Sequence, residues 1–269
     1  MSKKIDFIKP NETTASAESV SPWAQPRRGE FEDLLLKPEY SGRKLRFKEG
    51  ANWIRIVPAI EPSAHSWMMP VHALNYPGGR CAHPRTLQRS ARSAFDHAYA
   101  WIKANNPSSL FSKENREGLR LLTDPMAVCW VIAEEEGKPV SRLLVANAYD
   151  GSRGGAPALG FNLWKAARDL DADGNLITDA TDPVQGTRIC VEKLQPEGSK
   201  YPSYCLRVGR QPCPIDGELA KMEAEEIDVL CPIENVIQNL PEEEQWKRLE
   251  RCIAPSHVET IRASLAEAA

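Results

Sequence analysis

Long apolar runs are missing from this chain. The longest, AVCWVIA at Ala127–Ala133, falls far short of the roughly 20 residues a helix needs to cross a bilayer. The start, MSKKIDFIKPNETT, lacks the continuous apolar segment of a secretory signal. Paired cysteine spacing is missing too. The seven cysteines are an odd number without a CxxC, which argues against a disulfide framework and for a reducing compartment. The expectation is a cytoplasmic protein with no membrane partner. Catalytic signatures are also lacking: there is no Gly-Lys-Ser/Thr phosphate loop, GxSxG or HExxH. GSRGGAPALG has glycines but no lysine, and Glu134–Glu136 reads as solvated charge at a turn. DLDADGNLITDA begins like a calcium loop at Asp169, Asp171 and Asp173. It ends on Ala180 where a bidentate glutamate is needed, so calcium is rejected. Nothing asks for catalysis, and the chain is expected not to be an enzyme.

A strong overall charge is lacking as well, since the net charge is -3 over 269 residues. That balance hides a segregation. Residues 43–120 hold thirteen Lys/Arg against five Asp/Glu, and residues 215–269 hold five against thirteen. Such asymmetry points to a body that meets a polyanion and to an acidic segment, or to two ordinary solvated faces. Residues 1–30, rich in Ser, Thr, Pro, Asn and Glu, read as a mobile N-terminal arm. GEFEDLLLK reads as a helical turn or two.

LRFKEGANWIRIV reads as two strands, or one bulged strand, around Gly50, and SWMMPVHAL as another strand. Helical spacing runs from Arg85 to about Ala104. PMAVCWVIAEE and VSRLLVANAY form a strand pair around EEGKP, then FNLWKAARDL a helix. TRICVEKL and SYCLRVG form a second strand pair. PEEEQWKRLERC and SHVETIRASLAEA read as two capped helices. The class is mainly β with helical additions (α+β), and a five-stranded OB-type barrel has this inventory. The divisions are 1–30; 31–214, with an insertion at about 65–120; and an acidic helical C-terminal segment at 215–269.

What the chain does have is a crowd of cations around one tryptophan, in KLRFKEGANWIRIVP. Strand alternation puts Ile54 and Ile56 on one face and Trp53, Arg55 and Val57 on the other. Cations beside an aromatic ring suit an unpaired nucleic-acid strand, since charge follows phosphates and rings stack on bases. A buried Trp53 beside a solvated arginine is the alternative. Arg85, Arg89 and Arg92 fall at i, i+4 and i+7, one helical face able to serve as a phosphate rail. His65, His72, Cys81 and His83 lie within nineteen residues. A structural zinc needs four such ligands; surface histidines with a buried free cysteine are the other reading.

In order along the chain, IRIVP, MPVHAL, CAHP, the strand pair around AVCWVIA, LGFNLWKAARDL, DPVQGTRICVEK and YPSYCLRV resemble the phage single-stranded DNA-binding, or helix-destabilising, proteins. The resemblance spans about residues 43–214. It implies an OB fold with a zinc-binding insertion, and makes His72 and Cys81 zinc ligands. His83 stands where the family pattern has a cysteine followed by proline. It further implies a protein of DNA replication, recombination and repair, in the host cytoplasm if phage-encoded. Replication or recombination partners would be recruited through the acidic C-terminal segment, although that segment here reads as helical. The expected phosphate contacts are Arg43, Lys44, Arg46, Lys48, Arg55, Arg80, Arg85, Arg89 and Arg92; the stacking candidates are Trp53, Tyr76, Tyr201 and Tyr204. An RNA-binding OB protein, a protein-interaction or virion assembly module, and a nuclease are the rival readings. No paired-carboxylate motif supports the last.

Overall fold

The computed structural model describes residues 32–63, 65–76, 79–88, 92–105, 123–152, 156–170, 176–199, 202–250 and 255–268. The N-terminal arm, Arg89 and Tyr201 lie outside them.

The centre of the molecule is one long hairpin. Strand β5 (Thr123–Glu135) pairs antiparallel with β6 (Lys138–Asn147) across a turn at Glu136 and Gly137. Both turn residues have positive φ, 53° and 78°, as a two-residue hairpin turn requires. Residues 126–133 of β5 are buried on both faces, which explains why AVCWVIA is continuous rather than alternating. Trp130 and Ile132 enter one core; Cys129 and Val131 enter the other.

The other edge of β5 is shared. Its first half pairs with β3 (Met69–Tyr76) and its second half with β2 (Gly50–Ile56). Beyond β3 come β4 (Gly79–Ala82) and, parallel to it, β1 (Glu32–Leu34). Beyond β2 come β9 (Thr187–Leu194) and β10 (Ser203–Pro212), both antiparallel. The result is an open eight-stranded sheet with several helices, a mixed α/β arrangement. Barrel closure is not seen. Closing the run β6-β5-β2-β9-β10 would bring β6 beside β10. Instead residues 43–45 line the outer edge of β6: Leu45 N–H donates to Leu143 O and Leu143 N–H to Arg43 O, both at 2.8 Å.

Several expectations change. GEFEDLLLK supplies β1 rather than a helix, because Glu32–Leu34 gains ladder bonds on β4 that three isolated residues could not find in a helix. The segment before Gly50 forms no second strand. A short α1 (Pro38–Ser41) precedes it. The helix expected from Arg85 begins only at Ala94: Pro84–Thr86 is a 3-10 turn, and α2 spans Ala94–Asn105. Its start is set by a reciprocal cap, with Ser93 Oγ accepting from Asp96 N–H and Asp96 Oδ2 from Ser93 N–H. DLDADGNLITDA, rejected as a calcium loop, lies in the strand pair β7 (Arg168–Leu170) and β8 (Leu176–Asp179).

The acidic end is part of the body. Helices α4 (Ile215–Leu219) and α5 (Ala224–Asp228) and the following 3-10 turn place Ile215, Met222, Ile233 and Val236 on the core with Trp130 and Leu143. Trp130 Nε1 also donates to Cys231 O at 2.9 Å. Helices α6 (Glu242–Leu249) and α7 (Pro255–Ala268) close a second core with α2, through Trp246, Leu249, Val258 and Ile261 against Phe95 and Ile102. The third core lies beneath the helix α3 (Leu159–Ala167), whose Leu163 and Ala167 cover Ile54, Ile56, Ile189 and Val191. No helix among the described residues is long and apolar enough to cross a membrane.

Candidate nucleic-acid interface

The cations of the opening stretch have different fates. Ile54 and Ile56 face the core as alternation requires, but Arg55 does not reach a surface. It is 0% exposed. Its guanidinium donates to the carbonyls of Cys213 and Ile56 at 2.8 Å, of Ala180 at 2.6 Å and of Asp182 at 2.5 Å. Gly186 is needed here, because a Cβ at that position would fall 2.5 Å from the guanidinium. Arg55 is a clamp on the 180–186 and 213 segments, which removes it from any phosphate contact.

Arg43 is held by Glu226 at 2.8 Å and by Ser141. Lys44 and Arg80 share Asp33, at 2.5 and 2.7 Å. Burial pushes the Asp33 carboxyl up, but the hydrogen bonds and charges of Arg80 and Lys44 outweigh it and bring the pKa to about 2. Arg85 donates to Thr123 Oγ1 at 2.7 Å from a 3-10 turn, and Arg92 is exposed ahead of α2. Since neither is on a helix, the i, i+4, i+7 rail is not formed. Tyr76 is buried, stacked on Phe95 with its hydroxyl on Glu32. These groups do not converge.

Arg46, Lys48 and Trp53 do, around one cleft, while Tyr204 lies on the opposite face of the sheet from Trp53. Arg46 and Lys48 are exposed, and among the described residues neither has an ion-pair partner. They flank Phe47, whose ring meets Tyr204 with centroids 5.8 Å apart. Lys193 Nζ donates to Phe47 O at 3.2 Å. Asn52 fixes the loop: its Oδ1 accepts from Lys48 N–H and its Nδ2 donates to the carbonyls of Lys48, Gly50 and Val191. Gly50, at φ 88°, makes the bend. Trp53, 47% exposed, leans over β9 toward Gly209, where a Cβ would sit 3.7 Å from its ring. Together the 45–49 loop and β2 form one wall of an open cleft of about 990 Å³. The β5–β6 tip forms the other, with Glu134, Glu136 and Lys138. Lys138 is paired with Glu223. The first wall carries Arg46, Lys48, Phe47 and Trp53 with one acid, Glu49, and the other wall is mostly acidic.

Phe47, Asn52 and Lys193 were missed by reading the sequence. The alternation Arg46-Phe47-Lys48 was a usable signal for the first. The other two depend on pairing between β2 and β9, which no local pattern shows.

The zinc expectation does not fit the side chains as they stand. His83 is buried, its Nε2 is 2.7 Å from Asp96 Oδ2 and its Nδ1 accepts from Arg85 N–H at 3.0 Å. The second bond fixes the proton on Nε2. Cys81 is packed among apolar side chains with Leu74 and Phe95, and burial pushes its thiol up to about 12. Burial, then the charges of Arg85 and His83, pull His72 below the ordinary imidazole value. Among the described residues no three metal-ligating side chains converge.

In sequence, the chain matches no protein-family model and no curated protein.

Proposed function

We propose that the chain binds single-stranded DNA without catalysis, protecting unpaired strands during phage-type replication, recombination and repair. The observation that carries this is the wall of the cleft. Two cations with no ion-pair partner among the described residues, Arg46 and Lys48, flank the half-buried Phe47 ring in the wall that also carries the exposed Trp53. Phosphates neutralised by Arg46 and Lys48 release counterions, and rings of this kind stack on any base. The acidic β5–β6 tip repels phosphate and confines the strand to the opposite wall.

The connectivity supports an OB-type origin. Pairings β2–β5, β5–β6, β2–β9 and β9–β10 follow the order of a five-stranded OB barrel, with α3 between the third and fourth strands. The missing pairing is the one that would close it.

The test is a titration of fluorescent poly-dT, poly-rU and duplex DNA at several salt concentrations. Preference for poly-dT with a steep salt dependence is the expected result. Equal affinity for duplex, or no binding at low salt, would reject the proposal.

A further inference from the structure

Strand β10 ends the sheet: among the described residues it has one strand neighbour, β9. Alternate N–H and C=O groups of an edge strand point outward, a ready template for another strand. The two faces of this edge differ. On one, Tyr204, Leu206 and Val208 join Asn162, Trp164, Lys165 and Arg168 around a groove of about 910 Å³. Trp164 is 54% exposed, although tryptophan usually covers its ring. On the opposite face Arg207 stands out, 63% exposed, against Glu192 at 3.2 Å.

We infer that this edge takes an extended peptide from a partner protein as an added strand, one that alternates apolar and acidic residues. Apolar side chains of such a peptide fall over Leu206, Val208 and Trp164. Its acids fall beside Arg207 on the other face, and its end meets Lys165 and Arg168. This is strand addition, in which backbone bonds give affinity and alternate side chains give selection. A nucleic-acid strand fits less well. The groove is lined largely by apolar groups, and a sugar-phosphate chain has no alternating N–H and C=O groups to pair with the strand edge. A second copy fits poorly too, because two such edges would bring Lys165, Arg168 and Arg207 against their own kind.

The probe is an acetylated, amidated heptapeptide alternating Glu and Val, titrated calorimetrically into the full chain, beside the same peptide N-methylated at alternate amides. Saturable one-to-one binding is expected. N-methylation removes two or three ladder bonds and should weaken it by about tenfold or more. Trp164→Ala should weaken the unmodified peptide by roughly tenfold. Equal binding of the methylated peptide, or no saturable binding, overturns the inference. So does a loss of oligo-dT affinity in Trp164→Ala with peptide binding unchanged, which would give the groove to nucleic acid. A concentration-dependent dimer that the peptide dissociates would give the edge to a second copy and overturn it as well. The methylated pair needs no mutation, so a folding defect in the variant cannot hide the answer.

Discussion

The cleft beside Trp53 and the seam between the sheet and the acidic end both carry cations, yet the fold uses them in opposite ways. In the seam, Arg43 is held by Glu226, Lys138 by Glu223, Arg142 by Glu135 and Glu226, and Arg188 by Glu218. At the far edge Lys44 and Arg80 hold Asp33 between them. In the cleft, Arg46 and Lys48 are turned outward. A cation count along the chain cannot separate these groups, because the carboxylates that neutralise the first set lie up to 183 residues away. What sets Arg46 and Lys48 apart is that, among the described residues, the fold places no carboxylate in ion-pair range of either.

The seam should therefore fail as structure and the cleft as binding. The largest effect is expected from truncation after Asp228. It removes Val236, Ile237, Leu240, Trp246, Leu249, Val258 and Ile261, all buried. At about 1.5–3 kcal/mol per fully buried side chain, the loss rivals the whole stability of a typical domain. The truncated chain should show no cooperative thermal transition. A melt within a few degrees of the full chain would mean the acidic end is an accessory.

Arg55→Met comes next. It leaves four carbonyls without their donor, a cost of about 3–5 kcal/mol in urea unfolding. Arg55→Lys should recover part of it. A loss under about 1 kcal/mol in Arg55→Met would mean that water replaces the clamp.

Asp33→Asn tests the far edge. The folded pKa of about 2 lies below the ordinary 3.8, so the ionised form contributes stability above about pH 4 that is lost as pH falls through 2. The shift corresponds to about 2 kcal/mol. Wild type and Asp33→Asn should differ by that order at pH 6 and converge near pH 2. Parallel curves across the range would contradict the pairing with Lys44 and Arg80.

The smallest effect is expected from Glu134→Gln with Glu136→Gln, which removes charge from the wall opposite Arg46. Oligo-dT affinity should rise about two- to threefold at low salt, with the gain fading as salt is added. A fall in affinity would place the strand on the acidic wall instead.

Much of the fold was legible because its central strands carry their own signal. The β5–β6 hairpin, β9, β10, α3 and the last two helices follow from apolar periodicity and turn residues. The sheet edge at β1 and β4 did not, since three- and four-residue strands have too few positions to show a period. The helix from Arg85 was overextended because Pro84 starts a 3-10 turn and the cap at Ser93 starts a new element. Of the site, Arg46, Lys48, Trp53 and Tyr204 were named from the sequence; the structure gathers the first three around one cleft and puts Tyr204 on the other face of the sheet from Trp53. Arg55 shows the limit. Its alternation with Trp53 reads as solvent-facing, but residues 180–186 and Cys213, far along the chain, cover it.

On the proposed function Arg46 and Lys48 contact phosphate, while the cations paired with carboxylates, such as Lys44 and Arg80 on Asp33, do not. The most direct measurement is the salt dependence of oligo-dT binding for wild type, Arg46→Gln with Lys48→Gln, and Lys44→Gln with Arg80→Gln. Each lost phosphate contact on a single strand lowers the log–log slope by about 0.7. The cleft pair should therefore drop it by about 1.4 with the melting temperature unchanged. The edge pair should lower the melting temperature and leave the slope alone. A reversed pattern, or an unchanged slope in the cleft pair, would mean that the cleft does not hold the strand's phosphates.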